Sequence, residues 1–450
     1  MSPRDDARRI LHAAIAAADA REAVRRALRV EGDALVVMDA ERVGLRGVER
    51  VWLAGAGKAA AGMALGAREV LGDRIAGGTI TTRDGYAAAV PGVEVWEAAH
   101  PVPDTRGLAG AAAALAVARA AGERDLVLCL LSGGASALWP CPPDGVSLTD
   151  LKALTGALLR AGAAIGEMNT VRKHLSRIAG GWLARAAHPA RLVTLAVSDV
   201  VGSPLEVIGS GPTVPDPTTF ADALAVVRGY EIDAPPAVMA YLESGAAGEA
   251  PETPRPGDAA FERASAHVVA GNADALRGAA AEAERLGYRA EIVADDLEGE
   301  AREVAPEIAR LAVERQAALA PGDPPLALLL GGETTVTVRG RGAGGRNQEL
   351  ALALAMELEG RDGVVAAALG TDGTDGTTDA AGAIVDGGTV ARAAAHRLDA
   401  RDALDANDSH PLLRATGDLL VTGPTGTNVC DVVLVLVVAP GFRAQPITGD

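Results

Sequence analysis

The chain has 450 residues, of which 49 % are apolar and 22 % charged, and its net charge is −17. That length suits two or three domains, and so acidic a surface excludes nucleic acid as a general partner, because phosphate backbones need basic faces. A small anionic substrate stays compatible, provided a cleft gathers a few cations.

Aromatic residues make up only 2 % of the chain, so its cores must be built from Ala, Val and Leu. Cys129, Cys141 and Cys430 are widely separated and odd in number, which argues against a disulfide framework or zinc site and fits the reducing cytoplasm. No run of about 18 apolar residues is present, so no membrane span is expected.

The first 28 residues alternate apolar and charged positions at helical spacing and read as an amphipathic helix, not a secretory leader. Short apolar runs that end in glycine and precede Ala-rich helical stretches then recur: 51-VWLAGAG, 126-LVLCLLSGG, 192-LVTLAVSDVVG, 267-HVVAGN, 326-LALLLGGE and 364-VVAAALGTDG. Continuous apolar strands suit sheets buried on both faces, so the pattern predicts parallel strands with helical crossovers. In such sheets ligands bind at the carboxyl ends of strands, where these glycine loops fall. The stretch 244-SGAAGEAPETPRPGD-258 reads as a linker. It divides an N-terminal domain, 1–245, from a C-terminal one, 259–450, with 246–258 between them; the loop 320–325 is the alternative boundary.

Within 55-GAGKAA-60, Gly55, Gly57 and Lys58 admit three readings: a dinucleotide fingerprint with Ala at its last position, a tight strand-to-helix turn, or a backbone nest with a lysine aimed at an anion. Arg83 and Asp84, after the next strand, would then be contacts to a ribose or its phosphate. Only Lys58, Lys152 and Lys173 among the 42 basic residues are lysines, so a lysine here suggests a specific need for an ammonium. In 131-LSGGASAL-138, Ser132, Gly133 and Gly134 suit either close backbone approach to a ligand or a capped turn. Along 168-MNTVRKHLSRIAGG-181, Lys173 and Arg177 stand one helical turn apart beside Arg172, a cationic edge that either faces solvent or attracts phosphates.

Asp199 ends a strand, a position for a metal-binding or proton-accepting carboxylate or for a cap. The long Gly/Pro/Ser/Thr loop after it is of the functional kind. Farther on, 326–357 offers two strand-like stretches, a glycine loop and a helix opened by Asn347. Arg346 stands at that helix start, against the macrodipole, where a guanidinium would need a reason to be. In 369-LGTDGTDGTTDAAGAIVDG-387, Asp372, Asp375 and Asp379 suit either magnesium or a polar turn; the spacing is not that of an EF-hand. Together the loops describe the equipment of phosphoryl transfer: donors, a few cations and carboxylates.

These motifs, in the order GAGKAA, HPVPD, LLSGGASAL, NTVRKHLSRIAGG, SDVVGSPLEVIGSGPTVPDPTT, GGETTVTV, GRGAGGRNQE, GTDGTDG and TGPTGTNV, resemble class II glycerate kinase, the glycerate 2-kinase family whose C-terminal part is the MOFRL domain. The resemblance runs from Val51 to about Val437. It implies two α/β/α three-layer domains, the first Rossmann-like and the second of MOFRL type over about 326–437, with the active site in an interdomain cleft. The implied activity is transfer of the γ-phosphoryl group of ATP to the 2-hydroxyl of D-glycerate, with Mg²⁺, in a monomer or homodimer. Some members carry a hydroxypyruvate reductase label, which keeps an NAD(P)H-dependent reductase as the alternative.

By this resemblance Lys58 and Arg346 are catalytic. From its place at a strand end, Asp199 is the first candidate for general base or metal ligand, with Asp372 and Asp375 as further metal candidates. Gly55, Gly57, Ser132, Gly133, Gly134, Arg172, Lys173, Glu333 and Asn347 are the candidate substrate- and nucleotide-binding residues. The family carries Lys within RIKGG where this chain has Ala179, so no second lysine acts there.

Overall fold

A computed structural model describes residues 2–439 and packs them into two compact units. One comprises Ala20–Asp199 and Ser203–Val269; the other holds the N-terminal residues through Asp19, Val200–Gly202 and the chain from Ala270 on.

The N-terminal unit is built on six strands: β1 (Arg50–Ala56), β2 (Ile75–Arg83), β3 (Glu94–Ala98), β4 (Asp125–Leu131), β5 (Arg191–Val197) and β6 (Ala264–Ala270). Their order in the sheet is β3-β2-β1-β4-β5-β6, and the pairs from β3 to β5 are parallel. This is the doubly wound order expected of a Rossmann-like domain. β4 is buried at every position and β5 at all but its first, because helices cover both faces. The chain builds outward from β1 in one direction and from β4 in the other. The loops after those two neighbours therefore mark the switch point of the sheet, the place where such folds bind ligands. A small antiparallel meander over residues 28–44 accompanies the sheet.

The expected linker is not one. Thr253 is buried, and the Pro254 carbonyl accepts the Asp216 N–H at 2.9 Å. Proline and glycine there shape a packed return path, after which 267-HVVAGN supplies the sixth strand of this same sheet. The compact units consequently divide at residues 269/270 rather than at 246–258.

The C-terminal unit carries β7 (Arg289–Leu297), β8 (Leu326–Gly332), β9 (Val364–Gly370), β10 (Gly382–Asp386), β11 (Leu419–Leu420) and β12 (Asp431–Val437). Its order is β7-β8-β12-β9-β10-β11. Only β7 and β8 pair in parallel; β12 lies antiparallel between β8 and β9. The expectation of parallel strands throughout is thus corrected here. A continuous apolar run reports burial on both faces, and β12 is wholly buried whichever way it points. The second strand-like stretch, Thr334–Val338, is loop apart from an isolated bridge between Glu300 and Thr335. The amphipathic N-terminus forms two helices, Pro3–Ala17 and Ala20–Ala27. The first packs in the C-terminal unit, where Gly278 passes so close to Ala17 that an added Cβ would lie 2.2 Å from the alanine's own.

Candidate active site

In the N-terminal unit Ala56 pairs with Leu131, so Gly57 and Ser132 leave neighbouring strands at one level. The two loops interlock. Ser132 N–H donates to the Ala56 carbonyl at 3.0 Å, Lys58 N–H to the Gly133 carbonyl at 2.9 Å, and Ala59 N–H to Ser132 Oγ at 3.0 Å. The helix that follows, Ala60–Leu71, has no capping side chain of its own, so Ser132 serves its N-terminus from the next loop. Gly57 sits at φ 133°, and a Cβ there would fall 2.1 Å from Ser132 Oγ. The glycine of the apparent dinucleotide fingerprint is therefore demanded by Ser132. Asp84, the acid that would read a ribose, is held by Arg106 through bonds of 2.6 and 2.8 Å. Gly134 lies against His100, whose ring would be 3.0 Å from an added Cβ, and against the Lys58 stem at 3.6 Å. His100 and Lys58 thus flank the glycine pair.

The helix Ile165–His174 brings Asn169, Arg172 and Lys173 to this unit. The cationic edge expected from Lys173 and Arg177 does not form, because the helix ends at His174. Lys173 is buried, with its ammonium 3.4 Å from the fully buried Asp216, while Arg177 pairs with Asp144 at 2.6 Å. Asn169 Oδ1 accepts from Ser210 Oγ at 3.3 Å, and Ser210 Oγ shares a 2.8 Å hydrogen bond with Ser136. Ser210 is held at φ 61°, between two glycines of the same hand, a strained state for a serine. Asp199 stands half-buried just past the carboxyl end of β5.

In the C-terminal unit, because β12 runs antiparallel, its first residue lands between the last residues of β8 and β9, opposite Gly332 and Gly370. That residue is Asp431, and its carboxylate accepts from Arg346 Nε at 2.5 Å and Nη2 at 3.0 Å. Glu333, exposed just after β8, takes Arg346 Nη1 at 2.7 Å. Burial alone would lower the guanidinium's pKa, but the adjacent Asp431 and Glu333 outweigh it and hold Arg346 charged. Its helix, Arg346–Glu357, begins after Gly345, where a Cβ would collide with Asp375 at 2.3 Å. The Asp375 carboxylate caps this helix, accepting the N–H groups of Asn347 at 3.1 Å and Gln348 at 2.8 Å. Three carboxylates therefore offset the unfavourable macrodipole at Arg346. Burial raises Asp375 to about 6 in spite of the backbone donors that favour its ionised form. Asp372 Oδ1 accepts from the backbone and hydroxyl of Thr374 at 2.9 and 3.0 Å.

Each unit thus gathers part of the expected set: Gly55, Gly57, Lys58, Ser132, Gly133 and Gly134 at one sheet's carboxyl edge, and Glu333, Arg346, Asn347, Asp372 and Asp375 around one helix start. Sequence reasoning missed Asp431, Asp216, Asn169, Ser210 and His100. The only signals were that Asp431 closes the TGPTGTNVCD loop and that Ser210 sits inside GSGP; nothing local names their partners.

Residues 6–243 match a family model described as a domain of unknown function, DUF4147, and residues 326–431 match the MOFRL family. Glycerate 2-kinase of Pyrococcus horikoshii is 40 % identical over 445 residues, which cover 98 % of this chain and 99 % of that protein. The chain belongs to the glycerate 2-kinase family. D-glycerate 2-kinase of Thermotoga maritima is 43 % identical over 87 % of this chain and 91 % of its own. The crystal structure of a glycerate kinase from that organism superposes with a TM-score of 0.82 at 40 % identity, over 96 % of this chain and 99 % of the other. Two relatives from Agrobacterium vitis bear a provisional hydroxypyruvate reductase name. The recognition drawn from the nine motifs agrees with this family, and the α/β fold agrees with its solved structure.

Proposed function

We infer that this protein transfers the γ-phosphoryl group of ATP to the 2-hydroxyl of D-glycerate, giving 2-phospho-D-glycerate and ADP. The observation that carries the reading is kinship over 98 % of the chain to a glycerate 2-kinase, combined with a lysine set in an interlocked glycine-loop pair. The reductase alternative loses its structural support where Ser132 fills the Gly57 turn and Arg106 takes Asp84.

Phosphoryl transfer asks a protein mainly for positioning and charge. Lys58 is assigned to the transferring group, because a compact ammonium with three donors can follow oxygens that move during transfer. Backbone around Gly133 and Gly134 supplies close approach without side chains. Arg346, oriented by Asp431, is assigned to a phosphate or carboxylate oxygen. Asp199 is assigned either to the proton of the 2-hydroxyl or to the metal.

Magnesium bound with nucleotide phosphates takes one or two carboxylates and keeps several waters. Among the described residues no three His, Cys, Asp or Glu side chains converge to hold a metal, which fits that mode better than a dedicated cage. Asp375 fits it poorly, both of its oxygens being engaged by the Arg346 helix, so Asp199 and Asp372 remain the candidates. Bound at either one, Mg²⁺ would offset phosphate charge. A cytoplasmic enzyme acting as monomer or homodimer completes the proposal; among the described residues no helix is long and apolar enough to cross a membrane.

Phosphorus NMR of the protein with ATP, Mg²⁺ and D-glycerate tests the reading. A 2-phosphoglycerate resonance supports it, 3-phosphoglycerate would overturn the choice of hydroxyl, and intact ATP would overturn the kinase.

A further inference from the structure

Every other cation on or just after the end of the helix Ile165–His174 has an acid. Lys173 has Asp216 at 3.4 Å, His174 has Glu252 at 2.9 Å, and Arg177 has Asp144 at 2.6 Å. Arg172 has neither an acidic partner nor a hydrogen-bond acceptor among the described residues, although it is half-buried. Burial presses its pKa down with no opposing charge nearby. Its donors therefore find no acceptor among the described residues and stay open to one from outside the chain.

Asn169 lies one turn back on the same helix face as Arg172. Its Oδ1 accepts from Ser210 Oγ, and since Ser210 has one proton to give, Ser136 must be the donor in the Ser136–Ser210 pair. With Oδ1 engaged in this way, Nδ2 is the end left over, and it has no partner among the described residues. Ser136 lies two residues past Gly134, in the turn that faces Lys58. Ser210 carries this chain from a left-handed backbone.

We propose that Arg172 and the Asn169 side-chain amide form an oxyanion-binding pair that holds a carboxylate or phosphate of the substrates. Two donors one helical turn apart, one of them charged, match an anion whose oxygens spread from a single centre. Buried Lys173, by contrast, is neutralised by Asp216 and serves to anchor the helix that carries the pair. The pair rests on the kinase reading for its ligands, D-glycerate through its carboxylate or ATP through its phosphates.

The test begins with wild-type enzyme treated with phenylglyoxal, the modification at Arg172 being followed by peptide mass spectrometry with D-glycerate, ATP or inorganic phosphate present. Protection by D-glycerate alone assigns the carboxylate, and protection by ATP and phosphate assigns a phosphate; either supports the pair. No protection by any of the three overturns it. In Arg172→Gln, the KM for the protecting substrate is expected to rise roughly ten- to a hundred-fold, with Arg172→Lys falling between it and wild type. Both KM values staying within about two-fold of wild type would also overturn the pair, given the size expected of a charged hydrogen bond. Failure of the kinase reading itself appears separately, as intact ATP with unmodified enzyme.

Discussion

Arg172 and Arg346 are both half-buried guanidinium groups, and their surroundings are opposite. Arg346 is gripped along one edge by Asp431, touched by Glu333, and seated on a helix whose start is capped by Asp375. Arg172 meets no carboxylate among the described residues, and Asn169, one turn back on the same helix, has an amide nitrogen without a partner among them. An arginine saturated with acids is fixed in direction before any ligand arrives, at the expense of part of its charge. An arginine without acids keeps its full charge for an anion and depends on the fold to hold it still. The first suits orientation of a reacting group and the second suits capture.

The largest effects should come from the fixed groups. Lys58→Arg is expected to lower kcat roughly 10²–10³-fold despite keeping the charge, and Arg346→Ala to do the same, as for loss of one transition-state donor. Wild-type turnover in either variant would remove that residue from the chemistry. Next comes the clamp. Asp431→Ala leaves Arg346 with Glu333 alone and should cost about 2–3 kcal/mol in urea unfolding, below the value for a fully buried pair because 34 % of the Arg346 side-chain surface is still exposed. Arg346→Met with Asp431→Leu should restore most of that stability without restoring activity. If the double variant were as unstable as Asp431→Ala, the loss would lie elsewhere in β12.

A comparable effect is expected from Asp375. Its folded pKa of about 6 lies above the ordinary 3.8, so folding favours the protonated form. That contribution is complete below pH 3.8 and is lost as pH rises through 6. Between pH 4 and 7 the wild type should therefore lose roughly 2–3 kcal/mol relative to Asp375→Asn. Parallel pH–stability curves for the two proteins would contradict this. The smallest effect is expected at Asp84, whose pair with Arg106 lies at the surface. Asp84→Ala should leave kcat/KM within about two-fold, as for other exposed pairs. A large loss there would revive a nucleotide-ribose role for that strand end.

Much of the fold could be read along the chain, and the places where reading failed share a cause. Runs such as 126-LVLCLLSGG and 192-LVTLAVSDVVG became β4 and β5 because helices bury both faces of a parallel sheet. The same kind of run at 431-DVVLVLV became an antiparallel strand, since residue type carries burial and not direction. The Pro- and Gly-rich stretch 246–258 looked like a linker because turn chemistry is the same in a packed return as in a free one. Lys173 and Arg177 looked like one edge because spacing alone cannot show that a helix ends at His174.

The site divides in the same way. By itself the sequence determined which loops bear glycine, where a scarce lysine was kept, and that an arginine opens a helix against its dipole, since these depend on neighbours in the chain. The tertiary structure decided that Ser132 fills the Gly57 turn, that Asp431 arrives from 85 residues away to clamp Arg346, and that Arg172 alone of its stretch lacks an acid among the described residues. Electrostatic partnership is a matter of distance in space. A carboxylate at the start of the last strand meets a guanidinium at the start of a distant helix only after the sheet has set their register.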